Sequence, residues 1–202
     1  MHTKSSADET RQRILYIAAE EIHLHGFQSC NISAIIKKAA VSKGALYHHF
    51  ANKQALGYAV VDEVFVPQML AMWEPVFNSD DPVLAMIVLF RHTLSSTDCA
   101  CISRGCPMNN LAQEMSPVDE GFRLRISNAM VCWQDGIEKS LIRGQNHGRV
   151  NAGIDARQTA LFLIATIEGA YGLAKNAQNI EVLSACVDGL INYLEGVIGV
   201  KV

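Results

Sequence analysis

The sequence predicts an all-α protein of about nine helices. Three observations support this prediction: apolar residues recur at spacings of three and four, capping residues and prolines separate these runs, and no segment alternates convincingly between apolar and polar residues. Half of the 202 residues are hydrophobic, and the sequence contains neither internal repeats nor low-complexity tracts. We therefore expect a folded chain with a sizeable core.

Capping signals delimit the N-terminal helices. Ser6 and Glu9 have the spacing of a capping box, and the apolar run that follows them ends at Gly26. The expected N-caps of the next three helices are Asn31, Ser42 and Asn52. The second and third helices of the chain are short and are joined by about three residues, which are the proportions of a helix-turn-helix. The fourth helix is predicted from Lys53 to about Trp73.

Prolines and glycines delimit the remaining helices. Proline stands at an expected first helical position in the pairs Asp81-Pro82, Cys106-Pro107 and Ser116-Pro117. A polar loop with three glycines spans residues 144–153. The last three helices are predicted over about residues 117–143, 155–178 and 180–198.

The charge is distributed unevenly along the chain. Residues 1–61 carry seven Lys and Arg against four Asp and Glu, a balance of +3, and five of the seven histidines. Residues 62–202 carry ten against sixteen, a balance of −6. A basic first part on an acidic body indicates an anionic partner for the first part only.

Composition also indicates where the protein resides. The opening residues are polar and do not resemble a signal peptide, and the most apolar run, residues 160–174, is shorter than the ~20 residues that span a bilayer. A chain of this length and apolar content does not need its six cysteines as disulfides. We therefore expect a reduced, cytoplasmic protein with no membrane partner.

The segment Val41–Phe50, VSKGALYHHF, carries the most distinctive chemistry. Leu46 and Phe50 are one helical turn apart and are expected to pack inward. The residues left for outer or flanking faces are Lys43, Gly44, Ala45, Tyr47, His48 and His49. Lys43 can reach a base edge or a phosphate, and Tyr47 offers a ring to a thymine methyl and a hydroxyl to a phosphate. By spacing alone, an ordinary pair of packed helices with a polar face explains the pattern equally well.

A metal site at His48-His49 is disfavoured. Adjacent residues on a helix point about 100° apart, so the two imidazoles do not converge on one ion.

The stretch Gly26–Leu56, GFQSCNISAIIKKAAVSKGALYHHFANKQAL, resembles the DNA-binding head of the TetR family of transcriptional regulators. The shared pattern is a glycine and an aromatic residue, a short helix, a turn, and a recognition helix that ends in tyrosine, one residue, histidine and phenylalanine, with a lysine at the start of helix four. Two positions depart from it: Ala40 stands where a turn glycine is usual, and Cys30-Asn31 replaces a threonine pair. We expect neither departure to change the assignment.

The resemblance implies that two parts of the chain have different functions. It implies a three-helix helix-turn-helix head over residues 1–52 and a helical effector-binding and dimerisation bundle over residues 53–202. Residues in or beside the major groove of double-stranded operator DNA would be Lys43, Gly44, Ala45 and Tyr47. Residues at the DNA backbone would be Ser42, His48, His49 and Lys53, with Asn31 as a cap and a further phosphate contact.

A small-molecule cavity is expected in the bundle. Six of the seven methionines lie between residues 69 and 130, with a tryptophan near each end of that span. Composition alone favours an ordinary core, whereas the resemblance implies an effector pocket between these helices. The candidate lining residues are Met69, Trp73, Phe90, Cys106, Met130, Trp133, Phe162 and Glu168.

The cysteine trio Cys99-x-Cys101-x4-Cys106 offers two chemical interpretations. A zinc site needs four well-spaced ligands, and only His92 lies near enough in sequence to complete one, so we expect no metal and no other cofactor. The stretch RGCPMNNLAQE resembles a helix-six segment of a subgroup in which some members sense electrophiles or oxidants through cysteine. Cys106, at a predicted helix start near Arg104, is a candidate sensor, and a buried structural cysteine is the favoured alternative.

The last two predicted helices carry more apolar surface than one hairpin needs. The residues concerned include Val182, Leu183, Cys186, Leu190, Tyr193, Leu194 and Val197. In the resembled family this pair forms a four-helix interface with its twofold mate, which implies a homodimer whose two heads address a palindromic site.

These expectations converge on a homodimeric, ligand-responsive transcriptional repressor and not on an enzyme. Two other classes remain: an enzyme that uses the cysteines or a helical cavity, and a non-specific architectural DNA binder. The sequence contains no Ser/His/Asp, paired-carboxylate or phosphate-loop pattern in favour of the first. Sequence-independent DNA binding would favour the second.

Overall fold

The computed structural model describes the backbone of residues 6–97 and 99–200, and the side chains over 7–97 and 101–200. Within these ranges the chain is helical and contains no strand, so the all-α prediction is confirmed. The α-helices are α1 (Ser6–His25), α2 (Ile32–Ala39), α3 (Lys43–His49), α4 (Lys53–Val60), α5 (Val66–Phe77), α6 (Pro82–Ser96), α7 (Cys99–Arg104), α8 (Pro107–Met115), α9 (Glu120–Asn146), α10 (Ala156–Ala177) and α11 (Ile180–Tyr193).

Two π-helical turns join or extend these segments. Val61–Phe65 connects α4 to α5 without a break, and Leu194–Ile198 extends α11. The predicted fourth and last helices are therefore each continuous. Counted in this way, the described residues form ten helices, one more than the predicted number of about nine.

The predicted N-caps form as expected. The Asn31 side chain accepts a hydrogen bond from the Ser33 N–H at 2.8 Å. Equivalent bonds join the Ser42 hydroxyl to the Ala45 N–H at 3.1 Å and the Asn52 side chain to the Ala55 N–H at 2.7 Å. Each bond satisfies one backbone donor that a helix N-terminus leaves without an intrahelical partner.

The predicted start of the long helix near Pro117 is corrected. The N–H groups of Val118 and Asp119 both donate to the Met115 carbonyl, which closes a turn, and α9 begins only at Glu120. Asp119 provides the cap, since its carboxylate accepts from the Phe122 N–H at 2.9 Å.

The first compact unit comprises the chain up to Met69 together with Pro107–Ser127. It contains α1 to α4, the first π turn, α8 and the start of α9. Gly57 marks a close approach in its core, because a Cβ there would lie 2.4 Å from the Phe27 ring and 2.7 Å from the Phe122 ring. Its fully buried side chains include Ile14, Leu15, Ile35, Leu46, Leu56 and Phe122.

The second compact unit comprises Leu70–Cys106 and the chain from Asn128 onward. It contains most of α5 and α9, together with α6, α7, α10 and α11. Its buried side chains include Trp73, Met86, Ile137, Leu141, Leu163 and Leu194. The functional boundary expected after residue 52 stays a prediction.

One helical stretch, Lys53–Phe77, is long and apolar enough to cross a membrane by length and composition alone. Its side chains Leu56, Val60, Val64 and Trp73 are buried within the protein. Of its most apolar window 39% is buried, so part of this stretch contributes to the protein core.

Candidate nucleic-acid interface and effector site

The turn between α2 and α3 is built on a left-handed alanine. Ala40 has φ of 51° and ψ of 47°, and its N–H donates to the Lys37 carbonyl at 3.3 Å. The Val41 N–H donates to the Ile36 carbonyl at 3.2 Å, which completes the C-terminal cap of α2. The turn therefore has the conformation that usually selects glycine, and Ala40 adopts it against the steric preference of its Cβ.

Helix α3 has one buried anchor and one exposed face. Leu46 is completely buried and Phe50 is 3% exposed. The exposed residues of α3 are Lys43, Gly44, Tyr47 and His48, and the half-buried ones are Ala45 and His49. The inward and outward assignments made from the sequence are confirmed.

Gly44 has open space beside it. A Cβ at this position would meet only the Ser42 hydroxyl, at 3.8 Å, and nothing else within 4 Å. The fold itself therefore does not require glycine in the first turn of α3.

Two arginines of α1 contact the C-terminal ends of α3 and α2. The Arg11 guanidinium lies 5.0 Å from the centre of the Phe50 ring and donates two hydrogen bonds of 2.6 Å to the Glu63 carboxylate. These bonds lower the pKa of Glu63. Arg13 donates to the Ala39 carbonyl at 3.0 Å, so α1 also holds the end of α2.

Lys53 lies at the start of α4, as predicted, and contacts the loop that precedes α2. Its ammonium donates to the Gln28 carbonyl at 2.9 Å and lies 5.1 Å from the centre of the Phe27 ring. Asn31 lies three residues beyond Gln28, so Lys53 and the α2 N-cap belong to the same part of this unit.

Glu114 of α8 binds the same loop, a contact that sequence analysis missed. Its carboxylate accepts the backbone N–H groups of Phe27 at 2.8 Å and Gln28 at 2.7 Å. Gly26 has φ of +79°, a conformation that favours glycine, and a Cβ there would lie 2.8 Å from a Glu114 oxygen. More than eighty residues separate the partners, and no local pattern indicates this pairing. We call this contact the Glu114 bridge.

A second polar group joins α4 to the start of α9. Asp119 accepts hydrogen bonds from the Tyr58 hydroxyl at 2.8 Å and from the Gln54 amide. The backbone N–H of Phe122, followed by these side-chain donors, lowers the pKa of Asp119.

Three of the predicted effector residues lie in one aromatic cluster of the second unit. The Trp73 ring centre lies 5.2 Å from that of Trp133 and 6.0 Å from that of Phe90. Phe77, which sequence analysis did not select, stacks on Trp73 at 6.3 Å. Gly136, one turn after Trp133, makes room for this ring, because a Cβ there would lie 2.5 Å from Phe77. We refer to Trp73, Phe77, Phe90 and Trp133 as the aromatic cluster.

Two further candidates of the same unit, Cys106 after α7 and Glu168 on α10, contact each other. Burial raises the pKa of Glu168, and a hydrogen bond from Cys106 acts in the opposite direction. Tyr171, one turn further along α10, has its pKa raised to about 12, chiefly by burial. Met130 is half-buried on α9.

The other two candidates differ in burial. Phe162 is 49% exposed and contacts Tyr193, with ring centres 5.1 Å apart, on the outside of α10 and α11. Met69 is buried and lies one helical turn before Trp73 on α5. Of the eight residues selected from the sequence, only Phe162 has an exposed side chain.

Metal-ligating side chains do not converge in the part of the chain that the structure describes. Among the described side chains, no three His, Cys, Asp or Glu residues are arranged to hold a metal ion. The side chain of Cys99, one member of the cysteine trio, lies outside the described residues.

Two family models match the chain. Residues 84–189, more than half of the chain, match the tetracyclin repressor-like C-terminal domain, and residues 14–60 match the bacterial regulatory proteins of the tetR family. The second match includes α2, α3 and α4, which carry the proposed DNA contacts from Asn31 to Lys53.

Individual relatives align along most of their length. The HTH-type transcriptional repressor DhaR of Mycobacterium sp. strain GP1 is 26% identical over 174 residues, 86% of each chain. The HTH-type transcriptional regulator UidR of Escherichia coli K12 is 26% identical over 196 residues, 93% of this chain and 96% of UidR. A TetR transcriptional regulator from Chloroflexus aurantiacus superposes with a TM-score of 0.83 at 25% identity and covers 96% of this chain and 98% of its own.

The structure and the two matches agree on the same arrangement: a helix-turn-helix with an exposed α3, followed by a helical C-terminal part. The chain belongs to the TetR family of bacterial transcriptional regulators, whose members bind DNA and respond to ligands.

Proposed function

We propose that this protein is a homodimeric repressor that binds a palindromic operator through α3 and is released when a small apolar or electrophilic effector binds in the second unit. The observation that carries the proposal concerns the two sides of α3: Lys43, Tyr47 and His48 are exposed, whereas Leu46 and Phe50 are buried. A recognition helix needs this combination of a fixed anchor and a free face. Among the relatives, DhaR is named a repressor.

Four residues of α3 are proposed to lie in or beside the major groove: Lys43, Gly44, Ala45 and Tyr47. Lys43 and Tyr47 supply a cation, a hydroxyl and a ring, and Gly44 lets the helix approach the DNA closely. The proposed backbone contacts are Asn31, Ser42, His48, His49 and Lys53. Asn31 and Ser42 expose backbone N–H groups at the helix starts that they cap, and such groups favour phosphate.

Dimerisation is proposed through the outer surface of α10 and the end of α11. Four large apolar side chains of this surface are about half exposed in the protomer: Leu161, Phe162, Leu173 and Val197. A Cβ added at Gly169 or Gly172 of α10 would meet no atom within 4 Å, so the helix surface is open there. Small residues let two helices approach closely, and a twofold pairing would bury all four apolar side chains at once.

The effector is proposed to act without covalent attachment to Cys106. The Cys106 thiol lies beside the Glu168 carboxyl and is hydrogen-bonded to it. Beside an ionised carboxyl a thiolate would lose this bond and would face a like charge, whereas a reactive cysteine needs a positive surrounding. An electrophile that releases DNA from a Cys106→Ser variant as well as from the wild type would support this.

Selection from a library of randomised duplexes tests the proposed function. We expect the wild-type protein to enrich an inverted repeat, and Lys43→Ala to enrich it far more weakly at the same protein concentration. Gln28→Ala, at an exposed side chain outside α3, is the matched control and should enrich the same repeat. Binding without any enriched sequence would favour an architectural DNA binder and contradict the proposal.

A further inference from the structure

The chain contains only two tryptophans, and both lie in the aromatic cluster with their indole N–H groups enclosed. Trp73 is 1% exposed and Trp133 is 3% exposed. Neither indole nitrogen has a hydrogen-bond acceptor among the described residues. Buried indole N–H groups ordinarily find a partner, because leaving such a donor unpaired opposes folding.

The packing of the two rings does not satisfy both donors. Their planes meet at 61°, an edge-to-face arrangement. Such a pair has one edge and one face, so at most one N–H can point at the π surface of the other ring. Phe77 and Phe90 complete the cluster and offer π faces, which are weak acceptors, but no nitrogen or oxygen acceptor. Neither indole N–H therefore has a conventional acceptor among the described residues, and a ligand carbonyl would be a stronger partner than any ring face.

We propose that the aromatic cluster is the effector subsite for a neutral hydrogen-bond acceptor, namely the carbonyl oxygen of a planar aromatic or conjugated compound. The proposal rests on the proposed function, since it names the ligand class for the effector site. Indole and phenyl rings offer flat apolar faces to a planar apolar body, and indole N–H groups donate without accepting. A cation would use only the ring faces and would leave both N–H donors without an acceptor, and an anion would need a buried counter-charge.

The number of tryptophans makes the subsite directly observable. In isotope-labelled full-length protein the two indole N–H groups give two nuclear magnetic resonance signals. The probes are acetophenone and ethylbenzene, which differ only by a carbonyl in place of a methylene. A purely apolar site prefers ethylbenzene, because the acetophenone carbonyl would lose its hydrogen bonds to water and gain none in the site. A site with free donors reverses this preference.

We expect acetophenone to move at least one indole signal downfield and to bind about tenfold more tightly than ethylbenzene, as one added hydrogen bond allows. Trp73→Phe and Trp133→Phe keep a ring but remove a donor. At least one of them should lower the affinity for acetophenone about fivefold and leave that for ethylbenzene within about twofold. Phe90→Leu, the matched control, should weaken both probes alike.

Three results would each overturn the proposal: ethylbenzene binding as tightly as acetophenone, acetophenone binding that leaves both indole signals in place, or no binding of either probe. The wild-type titration decides even if a tryptophan variant fails to fold. Operator binding is measured on the same samples, so a failure of the subsite proposal can be distinguished from a failure of the proposed function. A protein that binds its operator but lacks the carbonyl preference refutes only the subsite, and the opposite result refutes only the proposed function.

Discussion

At the scale of single residues, the helix-turn-helix contains two unusual choices. Ala40 occupies a left-handed turn that favours glycine, and Gly44 occupies a helical position where the fold accepts alanine. The first departs from the turn glycine of the resembled pattern, and the structure shows that the alanine adopts the left-handed geometry that glycine usually supplies. The second has no explanation in the folded chain by itself, which is consistent with a close approach to DNA.

Replacing Ala40 with glycine should stabilise the protein. Glycine relieves the left-handed strain of about 1–2 kcal/mol and loses part of that gain to its greater unfolded-state freedom, so we expect a net gain of about 0.5–1 kcal/mol. Chemical denaturation measures the free energy of unfolding. Ala34→Gly, the same exchange inside α2, is the control and should destabilise by about 1 kcal/mol. A loss of stability in Ala40→Gly would mean that the turn is not left-handed.

Replacing Gly44 with alanine should separate folding from binding. The open space beside Gly44 predicts unchanged or improved thermal stability, by up to about 1 kcal/mol, since alanine favours helix. If α3 presses against DNA, the added methyl should weaken operator binding about tenfold or more, as a steric loss of about 1.4 kcal/mol would. Fluorescence anisotropy with the selected repeat checks this. Full affinity in a stable Gly44→Ala variant would remove Gly44 from the interface.

At the scale of elements, the sequence predicted helix starts well and helix faces less well. A cap depends on residues within one turn of each other, so Asn31, Ser42 and Asn52 could be recognised locally. Which apolar side chains of a helix are buried depends on distant partners. Leu190 was grouped with the dimerisation surface, but it is 5% exposed in the protomer and packs inside it, whereas Phe162, selected for the pocket, is on the outside.

The Glu114 bridge is an element-scale contact with a measurable effect. Glu114→Ala removes the acceptor of two backbone N–H groups, and we expect it to lower the free energy of unfolding by about 1–3 kcal/mol, as for hydrogen bonds to a charged group. Gln113→Ala, an exposed neighbour, is the control and should stay within about 0.5 kcal/mol of the wild type. Equal stability of both variants, measured by thermal and denaturant unfolding, would show that the bridge contributes little.

At the scale of the whole molecule, the family and the fold class could be predicted from about thirty contiguous residues, because the recognition motif is local. The effector site could be predicted only in part. Trp73, Phe90 and Trp133 were chosen for size and do lie together, while Phe77 was missed because the space for it depends on Gly136, nearly sixty residues away. Composition carries no information about such pairings.

Assembly is also a property of the whole molecule. Phe162→Lys places a charge on the proposed dimer surface without disturbing the buried core, so we expect monomers at micromolar concentration in light scattering and loss of tight operator binding. Leu84→Lys, at a 58% exposed apolar residue of α6, is the matched control and should remain dimeric. A dimeric Phe162→Lys protein would move the interface to another surface.

The most direct measurement compares binding of the wild-type protein to the selected inverted repeat and to the same duplex with one half-site scrambled. If two α3 helices of one dimer each read a half-site, two protomers should bind per intact duplex. Scrambling one half-site should then lower the affinity on the order of a hundredfold or more, because the second contact becomes intramolecular only when both sites are present. Equal affinity for the two duplexes, or one protomer per intact duplex, would contradict recognition by a dimer.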